Sequence, residues 1–202
     1  MKFVGRKKEL EILKQRIESK KSELFVLYGR RRIGKTTLCL ELLKTYKGVY
    51  FLSSKDKESY NIQNFKQILA EKLEDSIILS LKDTWEDIFT YLSKKDEKIV
   101  IIIDEFPYLI EENKALTSIF QRIWDLILSK SKIKLILTGS SISMIENEIL
   151  SAKSPLYGRR TGQLKLEKLK FKDLKEFFPK YRFDSLLKVY ATLDSIPFYL
   201  EQ

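Results

Sequence analysis

The sequence predicts an α/β fold: a mostly parallel sheet of five strands with helices on both faces. Three observations predict it. Short apolar runs rich in strand formers alternate with stretches of helical spacing along the 202 residues. A glycine-framed loop carrying a lysine and a hydroxyl, Gly29-Arg30-Arg31-Arg32-Ile33-Gly34-Lys35-Thr36, lies between the first apolar run and a helix. The β-branched run Ile99-Val100-Ile101-Ile102-Ile103 ends in two acids, Asp104-Glu105. Such unbroken runs mark strands buried on both faces of a parallel sheet.

The elements follow in order. Residues 9–17 form an amphipathic helix. Leu24-Phe25-Val26-Leu27-Tyr28 is the first strand, and the helix after the loop carries Leu38, Leu40, Leu42 and Leu43. A strand over 49–52 precedes helices over 62–73 and 85–92. After the strand at 99–103 come a helix over 116–128, a short buried strand over 133–137 and a weaker one over 164–166. From Phe171 onward the spacing is helical. Two units are expected, a core over 1–169 and the beginning of a helical unit over 170–202. The chain stops at Gln202 where a helix has just begun, and it is expected to be the front of a longer protein.

Composition bounds the function. With 44% hydrophobic and 33% charged residues, the chain can bury a core. Its longest apolar runs are far too short to span a bilayer, so no membrane partner is expected. The N-terminus has no apolar signal core. The single cysteine, Cys39, rules out an internal disulfide and fits a reducing compartment, so a cytoplasmic location is expected. Net charge is +10, which permits DNA binding without demonstrating it. Five of the nine arginines are Arg30, Arg31, Arg32, Arg159 and Arg160. They either surround phosphates or form a basic patch for nucleic acid or a partner.

The loop at 29–36 fits G-x-x-x-x-G-K-[ST], the phosphate-binding P-loop. Its glycines, Gly29 and Gly34, let backbone amides turn inward around phosphate, with Arg30, Arg31, Arg32 and Ile33 between them. Lys35 supplies a mobile cation, Thr36 a hydroxyl for Mg²⁺, and Thr37 adjoins them. Asp104 stands where an aspartate holds Mg²⁺ through its water shell. Glu105 is placed to orient and deprotonate a water attacking a γ-phosphate. The acidic pair, with a strand at 49–52 between it and the P-loop, fits the additional-strand P-loop ATPases better than the small-molecule kinases. In Leu135-Ile136-Leu137-Thr138-Gly139-Ser140-Ser141, Thr138 and Ser140 are candidate sensors of the γ-phosphate, or residues of a polar turn capping a helix.

Four stretches carry a resemblance: Phe3-Val4-Gly5-Arg6-Lys7-Lys8-Glu9-Leu10, the P-loop with Tyr28, Ile102-Ile103-Asp104-Glu105-Phe106-Pro107-Tyr108-Leu109, and Pro155-Leu156-Tyr157-Gly158-Arg159-Arg160-Thr161-Gly162. Through them the chain resembles the archaeal-type ATPase family, in the STAND branch of AAA+-related ATPases. The resemblance implies that Val4 and Gly5 lie near the adenine, with Arg6 supporting them. It implies that Arg159 or Arg160 approaches the phosphates, of this chain or of a neighbouring subunit in a homo-oligomer. It makes residues 170–202 the start of a lid. Pro197 falls at the family's Gly-x-Pro lid motif, where Asp194-Ser195-Ile196-Pro197 departs from the usual glycines. Phe106, Tyr108 and Tyr157 read as packing residues rather than base-stacking platforms.

The expected function is a Mg²⁺-dependent ATP-binding and hydrolysing switch, with ATP and ADP as ligands, acting on an effector domain beyond residue 202 or on an assembly. The alternative is a nucleotide-binding scaffold with negligible turnover, associated with DNA. No N-K-x-D guanine-reading motif occurs, which favours ATP.

Overall fold

The computed structural model describes residues 3–201. Met1, Lys2 and Gln202, at the outer bounds of the two expected units, lie outside them. Five strands, β1 (Glu23–Tyr28), β2 (Gly48–Leu52), β3 (Val100–Asp104), β4 (Lys134–Gly139) and β5 (Gly162–Lys165), form one sheet. Their order is β2-β3-β4-β1-β5, and every pairing is parallel. The strand that separates β1 from β3 is therefore β4. The strand at 49–52, which precedes the acidic pair in sequence, lies at the sheet edge instead.

The side-chain alternation of the strands builds two cores. Leu24, Val26, Val49, Phe51, Ile101, Ile103, Leu135 and Leu137 face one side. There they meet α3 (Glu58–Leu73), α4 (Trp85–Lys94), α5 (Phe106–Glu112) and α6 (Leu116–Leu126). Phe25, Leu27, Val100, Ile102 and Ile136 face the other, against α1 (Lys7–Glu18) and α2 (Lys35–Leu43). On the first side the rings of Phe51, Phe65, Trp85, Phe120 and Phe106 follow one another at 4.9 to 5.5 Å, a separation at which tilted aromatic pairs attract. Phe106 is thus a packing residue.

Helix α5 is an addition to the predicted elements. Its seven residues bury Phe106, Leu109 and Ile110, too few turns for a helical period to stand out. Helix α3 begins at Glu58 rather than at residue 62, a start that its polar first turn hides from apolar spacing. A short α7 (Ile142–Met144) and a π-helical turn at Ile145–Leu150 follow β4. Beyond β5 come α8 (Leu174–Phe177), α9 (Phe183–Leu193) and α10 (Pro197–Leu200). Leu169, Leu174, Leu186 and Leu200 gather these helices into a third apolar cluster.

Candidate functional site

The carboxyl ends of β1, β3 and β4 bring the site together, as open parallel sheets do. Gly34 caps α2 with φ +94°, a left-handed backbone that glycine adopts without a Cβ penalty. That turn exposes the first amides of α2 at a helix N-terminus, a natural anion seat. Lys35 is 6% exposed, and its Nζ donates to the carbonyls of Gly29 at 3.0 Å and Arg30 at 3.2 Å. Burial holds its ammonium below the usual lysine range, opposed by the nearby charges of Glu105 and Asp104. A pocket of about 750 Å³ opens in front of it, lined by residues 30–37, Glu105, Ser140 and residues 196–199. That volume lies in the range of small-molecule sites.

Asp104, 3% exposed, is ringed by donors. Thr36 Oγ1 donates to Oδ2 at 3.0 Å and Tyr50 Oη to the same oxygen at 2.5 Å. The Glu105 amide donates to Oδ1 at 2.9 Å, and the Thr138 hydroxyl also reaches Oδ1. Burial, then the Asp104 charge, push the Tyr50 phenol far above its ordinary range, so it stays a donor. Glu105 has φ +53° and ψ +40°, a conformation that costs a non-glycine residue about 1–3 kcal/mol. The Ser53 hydroxyl hydrogen-bonds the carbonyls of both Asp104 and Glu105 at 2.7 Å and so secures that turn. The strained backbone aims the Glu105 carboxylate at the pocket, where Oε2 accepts from the Ser140 amide at 3.0 Å.

Among the described residues no cluster of three His, Cys, Asp or Glu side chains assembles. The donor set for a cation is one carboxylate and one hydroxyl. That fits Mg²⁺, which keeps several waters and takes its remaining oxygens from phosphate. Tyr50 and Ser53 were missed by sequence reasoning. Both sit on or just after β2, and only the pairing of Leu52 with Asp104 reveals that they flank the acids.

The N-terminal segment reaches the rear of the P-loop. Arg6 donates to Glu9 at 2.9 Å, to the Ile33 carbonyl at 3.1 Å and to the Glu167 carbonyl at 2.5 Å. It thereby ties α1, the P-loop and the exit of β5. Gly5 has φ +66°, and a Cβ there would meet Asp173 and Leu169 at 2.9 Å, so the backbone packs directly on the segment leading into α8. Val4, Arg6, Thr37 and Pro197 line a cleft of only about 20 Å³. Pro197 opens α10 in its first turn and also lines the main pocket. Asp194 takes φ +55° and pairs with Lys168 at 2.8 Å.

The arginines divide. Arg30 and Arg31 line the pocket mouth. Arg32 turns to α10: it donates to Tyr199 Oη at 3.0 Å, and its guanidinium lies 4.5 Å from the Phe198 ring centre. Arg159 and Arg160 are not brought to the pocket. Arg159 forms two hydrogen bonds with Asp125, at 3.2 and 3.0 Å. Arg160 lies 5.0 Å over the Tyr157 ring and donates to the Leu150 carbonyl at 3.3 Å. The reason is topological. Strand β5 starts opposite Phe25, near the amino end of β1, so residues just before it sit at the far end of the sheet from the P-loop.

A family described as an ATPase domain predominantly from Archaea matches residues 3–202. The protein MJECL04 of Methanocaldococcus jannaschii is 48% identical over 200 residues, 99% of this chain. This chain spans 44% of the length of that relative. The Walker-type ATPase PABY2304 of Pyrococcus abyssi has a similar fold, with a TM-score of 0.77 at 22% identity over 98% of this chain and 65% of that one. The ORC2 protein of Aeropyrum pernix, solved as ADPNP-ADP complexes, gives 0.62 at 18% identity over 86% of this chain and 50% of that one. A STAND protein with a tetratricopeptide repeat sensor from Pyrococcus horikoshii gives 0.58 at 19% identity over 98% of this chain and 29% of that one.

Proposed function

The chain belongs to this archaeal ATPase-domain family, and from that premise we propose that it is a Mg²⁺-dependent ATP-binding and hydrolysing switch. One observation carries the reading: Lys35, Thr36 and Glu105 line a single pocket, with Asp104 hydrogen-bonded to Thr36 behind it. Phosphoryl transfer to water needs mainly positioning and charge stabilisation, and these groups supply both. Lys35 and the first amides of α2 hold the β- and γ-phosphates. Thr36 and Asp104 hold Mg²⁺, which neutralises phosphate charge when bound. Glu105 orients the attacking water and accepts its proton. Ser140, beside Glu105 in the pocket lining, reports the γ-phosphate, while Thr138 braces Asp104.

In the same reading residues from about 170 onward act as a lid. Pro197 and its neighbours face Gly34, and Val4 and Gly5 border the adenine. A void of about 20 Å³ holds roughly one water, so the base enters only as the lid segment shifts away from the N-terminal segment. That shift would couple nucleotide state to an effector or an assembly.

Steady-state phosphate release tests the proposal. The wild-type chain is expected to turn ATP over with Mg²⁺, and Glu105→Gln to lower turnover about a hundredfold or more while keeping ATP binding. The engagement of Glu105 by the Ser140 amide favours a second reading, a scaffold that holds nucleotide without turnover. Binding without any phosphate release from the wild type selects that second reading.

A further inference from the structure

The Asp104 carboxylate carries a full complement of donors. A carboxylate offers about four lone-pair directions, two on each oxygen. The Glu105 amide and the Thr138 hydroxyl take those on Oδ1. Thr36 and Tyr50 take those on Oδ2. Three of these donors belong to the sheet and its first turn. Only Thr36 rides on α2, and its hydroxyl is the one assigned above to a cation.

We propose that Tyr50 is a positioning residue for the Mg²⁺ site, one that also sets which cation the site prefers; this rests on the reading of Asp104 as a cation-holding residue. Were Thr36 to give a lone pair to the metal and turn its proton from Asp104 to a phosphate oxygen, it would free a single lone pair on Oδ2. The Tyr50 phenol keeps the other filled, so the carboxylate presents one acceptor direction, to one metal-bound water. Mg²⁺, with strict octahedral geometry and tightly held waters, suits such a partner. Ca²⁺ takes more oxygens, at longer distances, in looser geometry. A carboxylate with two open directions on one oxygen can swing to meet it.

The geometry gives Tyr50 this role for a reason the sheet supplies. Tyr50 pairs with Ile102 on β3, two residues before the Leu52–Asp104 pair. Two strand residues span about 6.6 Å, comparable to the reach of a tyrosine side chain. Its ring packs among the apolar side chains around α2, so phenylalanine would keep the packing and delete only the donor.

The test uses the full chain and N-methylanthraniloyl-ATP, with binding followed by fluorescence in EDTA and over titrations of Mg²⁺ and Ca²⁺. For Tyr50→Phe, affinity in EDTA and the thermal unfolding curve match wild type. The half-saturating Mg²⁺ concentration rises roughly tenfold, the scale of a lost outer partner of a metal ligand, and Ca²⁺ gains on Mg²⁺. An unchanged Mg²⁺ requirement and cation preference overturn the proposal. So does an equal loss of affinity with and without metal, which makes the phenol a packing element. A wild-type chain that binds no nucleotide under any of these conditions overturns the site reading itself, a failure distinct from the other two.

Discussion

Glu105 concentrates the chemistry of the site in one strained residue. Its left-handed backbone is secured by the Ser53 hydroxyl, and its carboxylate by the Ser140 amide. Strain persists only where surroundings enforce it, and here Ser53 after β2 and Ser140 after β4 do so. Glu105→Gln keeps the shape and removes the carboxylate proposed as the base. ATP binding is expected to stay near wild type and phosphate release to fall about a hundredfold or more, measured by steady-state release and equilibrium binding on the same preparation. A rate unchanged by the substitution would remove Glu105 from the role of base. Lys35, Thr36, Asp104 and Glu105 were legible because each lies within a contiguous motif whose spacing carries its chemistry. Tyr50 and Ser53 were not, because their role depends on which strand lies beside β3. Arg159 and Arg160 show the converse: a motif was legible, but its place was set by where β5 joins the sheet.

Among the elements, α10 and the P-loop are the pair that meets across the pocket. Arg32 bridges them through Tyr199 and the faces of Phe198 and Tyr199. An exposed cation–π contact is worth about 0.5–1 kcal/mol, enough to bias a short helix without anchoring the fold. Arg32→Ala is therefore expected to speed amide exchange in residues 198–200 several-fold and leave exchange in the sheet unchanged. Equal exchange in α10 of the two proteins would show that the third apolar cluster alone holds it. The strands at 99–103 and 133–137 were read to within a residue or two, since a buried parallel strand is an unbroken apolar run, and the edge strand at 49–52 was read to within a residue from its strand-forming residues. Helix α5 escaped because its apolar residues span barely two turns. The polar first turn of α3 escaped because periodicity reports burial, and nothing there is buried before Asn61.

For the whole molecule, the sheet order turns a list of motifs into a site. Inserting β4 between β1 and β3 brings Thr138 against Asp104 and Ser140 against Glu105. The aromatic chain behind that sheet maintains the arrangement. Phe120 touches Trp85, Phe89 and Phe106, and Phe120→Ala is expected to cost about 3–5 kcal/mol by denaturant unfolding. A cost under about 1 kcal/mol would mean that the core collapses around the gap. Net charge of +10 acts at this scale too, but it is spread over lysines and names no partner. In the function proposed above, the amides at the start of α2 and the buried Lys35 ammonium form a seat for a purine triphosphate. Equilibrium titration of the wild-type and Lys35→Ala chains with ATP, with and without Mg²⁺, tests it most directly. Wild type is expected to bind, more tightly with Mg²⁺, and Lys35→Ala to bind at least about tenfold more weakly, the loss of one charge-assisted hydrogen bond. Absence of binding by wild type, or identical isotherms for the two chains, would contradict the account.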